Sequence, residues 1–387
     1  EMCIRDSKYV HYDVLVIGGG LSGIISAKIA AKSNLKTLLV DDKKTLGGST
    51  IFQNNDSFKI DDQHSSKWLE KEINEISEIE NLTVKTRTSI AAYHGYNYLL
   101  ARENLTDHLS IKDKKDKIRQ RLWKIRAKKV IVATGAIERP LVFNNNDRPG
   151  ILLSNSINKY LDYYGVACGK NIILFTNNDS AYETAISLHK KGIKNLIVDL
   201  RKNSQSEIAK QAQNLGIKIY FNHVVTNTFG YRRINSVELM ELSDDGNTTI
   251  GNKIKLNCDC LGISGGWTPM VHMHTQSGGK LDFKNDDQVF IPKEIDNDQI
   301  SVGACNGDFD LETIIDKTVN KINIFLEINN QDYKNTKVDC SIEKEKRNIW
   351  LLPNKIPLGK TKCFIDFQND STAKAVSYTH LRAHETQ

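Results

Sequence analysis

The sequence predicts an α/β chain of two nucleotide-fold lobes, the second inserted in the first, and three observations predict it. A short apolar run, Asp13-Val14-Leu15-Val16-Ile17, leads straight into Gly18-Gly19-Gly20-Leu21-Ser22-Gly23 and then an Ala-rich amphipathic stretch. A second run of the same form, Asn171–Thr176, is followed by a turn, a helical stretch and a returning strand ending in Asp199. The apolar strand Val130-Ile131-Val132-Ala133 closes on Thr134-Gly135 before that second unit, and strand cues of the first lobe resume after it, at Ser301–Asp308.

Each part of the first unit has a physical task. A continuous apolar run suits a parallel strand buried on both faces. Gly18 permits the tight turn, Gly19 continues it, Gly20 leaves the main chain open to a pyrophosphate, and Gly23 allows helix and strand to pack closely. Leu21 and Ser22 open the helix, whose first amides and positive end face the phosphates. Thr37–Val40 is the second strand and ends in Asp41, 18 residues after Gly23. Asp41, with Asp42 beside it, is placed to accept hydrogen bonds from the adenosine ribose. Its charge disfavours a 2′-phosphate, since like unit charges about 4 Å apart at an effective dielectric near 20 repel by about 4 kcal/mol. NAD is therefore expected, with Lys43 and Lys44 acting against that preference. Gly47-Gly48 either lets the chain pass beside the cofactor or forms a simple loop. The candidate cofactor-binding residues are Gly18, Gly19, Gly20, Leu21, Ser22, Gly23, Asp41, Asp42, Gly48, Thr134 and Gly135.

The middle of the chain reads as a meander. Leu82–Ala92, the aromatic-rich Tyr93–Leu100, and two β-prone runs, Arg121–Ala127 and Lys129–Ala133, lead to the strand that ends in Ala-Thr-Gly. Prolines and polar residues at Glu138–Pro140 and Asp147–Gly150 mark a crossing between lobes. Arg139 and Arg148 there are either anion contacts or lobe-crossing ion pairs. In the second unit, Thr176, Asn178 and Ala181 stand where the first has Gly18, Gly20 and Gly23. A side chain at Asn178 would occupy the phosphate's approach, and Asp179 adds negative charge, so one dinucleotide is expected rather than two. Cys258 and Cys260 alternate within one strand-like run, Lys253–Ile263, and are expected on one face, as packing residues. His272 and His274 are candidate ligands or acid–base groups only by residue type; no metal site is expected, and no catalytic residue is assigned. Asp308, after Cys305-Asn306, stands near the place of a flavin-contacting Gly-Asp pair.

Composition bounds the function. With 387 residues and charged residues at 26%, the chain is ordinary globular protein. A net charge of +6, with acids interspersed, does not form a nucleic-acid footprint, and no apolar run reaches membrane-spanning length. Seven cysteines without a CxxC pair read as free thiols of a reducing compartment, so a cytoplasmic location is expected. The two ends, residues 1–7 and 377–387, resemble translated sequencing-adapter sequence and are expected to stand outside the fold.

The phrases YDVLVIGGGLSG, VDDKKTLGGS, HGYNYLLARENLTDHL, ATGAIERPLVFNNNDRPGI, FTNNDSAYETA, SGGWTPMVHMHTQSGGK and FIDFQND resemble the alpha subunits of heterotetrameric sarcosine oxidases, within the broad superfamily of FAD/NAD(P)-binding, pyridine nucleotide-disulfide oxidoreductase-like proteins. The resemblance implies two Rossmann-like lobes of the two-dinucleotide-binding flavoprotein type. It places a NAD-binding lobe over 8–165 and 262–325, a degenerate second lobe over 166–261, and a small segment over 326–376 leading to a folate domain. It also implies a part in oxidative demethylation of sarcosine to glycine, with release of H2O2 and of formaldehyde or methylenetetrahydrofolate. NAD would sit on Gly18, Gly20, Gly23 and Asp41, with Thr134 and Gly135 nearby. FAD would belong to a beta subunit, FMN to a partner interface, and small gamma and delta subunits would complete the complex. Two other readings stay open: a self-sufficient FAD-dependent oxidoreductase, and a non-catalytic scaffold with a structural nucleotide.

Overall fold

The computed structural model describes residues 6–52, 59–114, 117–293, 298–333, 336–339 and 346–377. Residues 1–5 and 378–387, most of the two ends set apart above, lie outside that set. Asp6 and Ser7 do not stand outside the fold: they open the first strand, where Asp6 pairs with Arg121.

Two compact units form. The first takes described residues within 1–51, 58–137 and 268–340, the second within 52–57, 138–267 and 341–387. The second is an insertion, entered after Ile137 and left before Thr268. These crossings differ from 165 and 262, and the reason is strand pairing. Ile151–Leu153 joins Cys260–Ser264 in the sheet of the second unit, and helix Ser154–Asp162 packs in the same unit through Ile157 and Leu161. Residues beyond 346 group with the second unit rather than standing apart.

In the first unit, β1 (Asp6–Ile17), helix α1 (Leu21–Lys32) and β2 (Thr37–Val40) form a βαβ element. The parallel sheet runs Leu82–Lys85, β2, β1, Gln120–Val132, with Gln299–Ser301 beside the end of the last. Gln120–Val132 is one continuous strand where the sequence suggests two runs. Its first half also carries the hairpin Thr88–His94 and Tyr98–Asn104. Alternation explains why Val14–Ile17 is apolar throughout. Val14 and Val16 pack with Ile24, Ile25 and Ile29 of α1, whereas Leu15 and Ile17 pack with Tyr93, Leu99 and Ile125 on the other face. The short helix His272–Gln276 lies along the outermost strand, and the Gln276 side-chain oxygen accepts the Tyr93 amide at 3.1 Å.

The second unit repeats the element as β3 (Asn171–Thr176), α2 (Ser180–Lys190) and β4 (Lys194–Asp199). Its parallel sheet runs Ile151–Leu153, Cys260–Ser264, β3, β4, Lys218–Phe221. A three-stranded antiparallel meander over His223–Phe229, Ser236–Leu242 and Thr249–Asn257 accompanies it. The run Lys253–Ile263 is not one strand. It breaks at Cys258-Asp259, because the Asp259 carboxylate turns aside to take the amides of Lys170 and Asn171. The break also separates the thiols. Cys258 packs with Phe175 and Leu239, and Cys260 with Ile172 and Ala185, in two different apolar clusters. Both thiols are pushed up to about 12 by burial.

Candidate functional site

The corner between β1 and α1 is bare main chain. Gly18 has φ +107°, and a methyl on it would stand 2.2 Å from the Ala133 carbonyl oxygen. A methyl on Gly23 would fall 1.8 Å from the Gly18 oxygen, so only glycine permits this helix–strand approach. Gly20 is different. A methyl there meets nothing nearer than the Gly48 Cα, 3.9 Å away, so Gly20 keeps a surface open rather than relieving a clash. No side chain caps α1, and its first turn holds no acid. The helix therefore offers its positive end and first amides to an anion from outside.

Asp41 ends β2 with both carboxylate oxygens engaged. The Gly19 amide donates to Oδ2 at 2.5 Å and the Lys43 amide to Oδ1 at 2.7 Å. Burial pushes the Asp41 carboxyl above its ordinary value, against these two bonds that favour its charge. Gly47 donates its amide to the Gly19 oxygen at 2.7 Å, and a methyl on Gly48 would stand 2.8 Å from the Gly20 Cα. The Gly47-Gly48 turn is thus bonded to the glycine corner and is not a simple loop. Asp42 is exposed and pairs with Lys43 at 2.7 Å. Leu21 is buried in the apolar core beneath the helix, and Ser22 packs against Gly303, where a methyl would meet its Oγ at 2.2 Å. The Thr134 hydroxyl donates to the Met270 oxygen at 2.8 Å, and the Met270 amide to the Gly135 oxygen at 2.9 Å. Gly18, Gly19, Gly20, Asp41 and Gly48 are therefore drawn together, while Asp42 points to solvent and Leu21 inward. Gly303, within the Ser301–Asp308 cue, and the Lys43 amide are additions to the candidate set, and Gly303 adopts a positive φ of +74°.

The second corner is filled. Asn178 is 2% exposed; its side-chain amide donates to the Asn177 Oδ1 at 2.9 Å and the Ser264 oxygen at 3.2 Å. Its Oδ1 takes the Ser180 amide, the first of α2, at 2.8 Å. Asp199, the counterpart of Asp41, is fully buried under Arg201 at 2.8 Å and the Tyr182 hydroxyl at 2.6 Å. Arg201 also reaches Asp179 at 2.8 Å. Near this corner Glu138 accepts the Asn155 amide at 2.8 Å, while its Oε1 is buried without a partner. Burial pushes the Glu138 carboxyl up to about 7.

The other candidates lie away from the glycine corner's own contacts, and His272 is exposed. His272 and His274 lie on a short helix, not a strand. His274 is buried with Nε2 at 2.9 Å from the Lys280 oxygen, and no metal-holding group of His, Cys, Asp or Glu occurs among the described residues. Asp308 is bound to Lys317 at 2.6 Å and to Asn306 at 3.1 Å. Arg148 donates to carbonyls of its own unit, at Thr228 and Gly230, and Arg139 stacks on Trp350 at 4.3 Å.

A family model described as pyridine nucleotide-disulphide oxidoreductase matches residues 12–291. The chain belongs to that family. Membership makes it an oxidoreductase of flavoprotein fold, and implies binding of FAD, NAD(P) or both. Its similarities include sarcosine oxidase subunit alpha of Corynebacterium sp. (strain P-1), 35% identical over 307 residues, which are 79% of this chain and 31% of that protein. The same subunit of Rhizobium meliloti (strain 1021) is 28% identical over 97% of this chain and 37% of its own length. The chain thus spans about a third of the curated relatives it matches. Among solved structures, T. acidophilum thioredoxin reductase aligns over 82% of this chain and 97% of that chain, with TM-score 0.60 and 15% identity. L-proline dehydrogenase from P. horikoshii aligns over 79% of this chain and 53% of that chain, with TM-score 0.57 and 21% identity. Both show the shared fold. No helix among the described residues is long and apolar enough to cross a membrane.

Proposed function

We propose that the chain is the NAD-binding part of a sarcosine oxidase-type alpha subunit, acting in the cytoplasm within a complex that oxidatively demethylates sarcosine to glycine. The observation that carries this reading is the open face of Gly20 beside an uncapped helix end, with Asp41 held at the end of β2 by two main-chain amides. The main chain over Gly18–Gly23 binds and orients the diphosphate, and Asp41 accepts from the adenosine ribose hydroxyls. When bound, NAD supplies a ring that exchanges hydride. The amine-oxidising chemistry, with H2O2 and formaldehyde or methylenetetrahydrofolate as products, is assigned to the complex with its flavin-binding beta subunit and small gamma and delta subunits, FMN lying at a partner interface. Support comes from the alpha-subunit relatives and from the second corner, which is closed by its own side chains.

Calorimetric titration of the purified chain tests the reading. One NAD per chain and a colourless protein are expected, with binding weakened by about 100-fold or more after Gly20→Val. A second reading, FAD in the same corner, rests on the family match, which implies FAD, NAD(P) or both. It predicts a yellow protein that releases flavin on denaturation, and that outcome would replace the first.

A further inference from the structure

The strands of the first unit extend beyond the part that carries the nucleotide corner. There β1, Gln120–Val132, Tyr98–Asn104 and Thr88–His94 lie side by side, and three rows of four residues cross them, beginning at Ser7, Tyr9 and His11. The alternate positions point inward with Leu99, Ala101, Trp123 and Ile125. The outward face carries Arg102, Lys124 and Arg126 with two histidines, two tyrosines and two leucines, and not one of its residues is acidic. Tyr9 is 69% exposed. Three carboxylates near its margins are engaged: Glu103 points to the other face and takes the Trp123 indole at 2.8 Å, Asp13 holds Lys128 at 2.8 Å, and Asp107 holds Arg119 at 2.6 Å. In a chain that interleaves acids and bases elsewhere, this is a cationic, aromatic sheet face that carries no carboxylate among its twelve residues.

We propose that this face docks a protein surface bearing a cluster of Asp and Glu carboxylates, on the flavin-binding partner subunit; the inference rests on the subunit reading above. Arg and Tyr over a half-buried aliphatic floor are the composition of interface anchors. Complementary charge would fix register and speed association. A nucleic acid is disfavoured because the rings are already covered: Lys124 lies 4.4 Å over Tyr9 and Arg126 5.1 Å over Tyr98, which takes up ring faces that bases would stack on.

The test co-expresses the full chain with that partner subunit and measures their dissociation constant for the wild type and for R102E/K124E/R126E. A weakening of at least about tenfold is expected, with dinucleotide affinity and melting temperature unchanged, and with the salt dependence of the wild type flattened in the variant. Undiminished affinity in the variant overturns the face and leaves the subunit reading standing. Failure of the wild type to bind the partner removes both. Binding of a single-stranded oligonucleotide or of anionic vesicles, lost on charge reversal, would reassign the face and overturn the proposal.

Discussion

At the first corner the turn is Gly18-Gly19-Gly20, no side chain caps the helix, and the strand-end acid rests on two backbone amides. At the second the turn is Thr176-Asn177-Asn178, the first amide of the helix is taken by Asn178, and the strand-end acid is locked under a guanidinium and a phenol. Strand, helix and acid are in the same places in both. What differs is where the acceptors and counter-charges come from. The first unit supplies them from main-chain amides and leaves its helix end open, and the second supplies them from its own side chains. A nucleotide fold is thus a scaffold that stands without a nucleotide once its turn is internally satisfied.

The sharpest way to break the comparison is to remove the lock. Arg201→Met leaves Asp199 buried without its counter-charge and should destabilise the second unit by about 3–5 kcal/mol, read by urea unfolding. A loss below about 1 kcal/mol would mean that Asp199 needs no partner. Next is a pH effect confined to the second unit. The native fold favours protonated Glu138, whose carboxyl rises from 4.5 to about 7. The native state therefore binds more protons than the unfolded chain, and stability is full below about pH 4.5 and falls as pH rises toward 7. Glu138 accounts for about 3 kcal/mol of this fall and Glu183, whose carboxyl burial also pushes up to about 7, for up to as much again, so Glu138→Gln should remove at least about half of it. An unchanged profile in the variant would remove Glu138 as the source. In the first unit, Gly20→Val should weaken dinucleotide binding by about 100-fold or more, equal to about 2.7 kcal/mol, with little change in melting temperature. Smallest is Asn178→Gly, which deletes the plug's hydrogen bonds at a cost of about 1–2 kcal/mol. The titration should still end at one nucleotide per chain, because Arg201 continues to hold Asp199; a second equivalent would show that Asn178 alone closes the site.

Much of this was legible in the sequence. The two βαβ elements follow from apolar runs and turn residues, and Asn178 announces its own obstruction because a side chain cannot share space with a phosphate. The insertion was legible, but its crossings were not, since Ile151–Leu153 is too short to show periodicity and is recruited by its neighbour Cys260–Ser264. The separation of Cys258 from Cys260 was hidden for a related reason. Alternation holds only inside an unbroken strand, and the break depends on Asp259 reaching amides almost 90 positions away in the chain. Arg201 left one readable trace, a base two residues after a strand-end acid; its grip on Asp179 needed the fold.

The Gln276 side chain on the Tyr93 amide bears on how the protein behaves in crowded solution. An outermost strand with free amides is a template on which another copy can grow by main-chain pairing. Here one such amide is already occupied by a neighbouring helix. Stacking of copies along this border would first have to peel that helix away, which guards the molecule against fibril-like self-association.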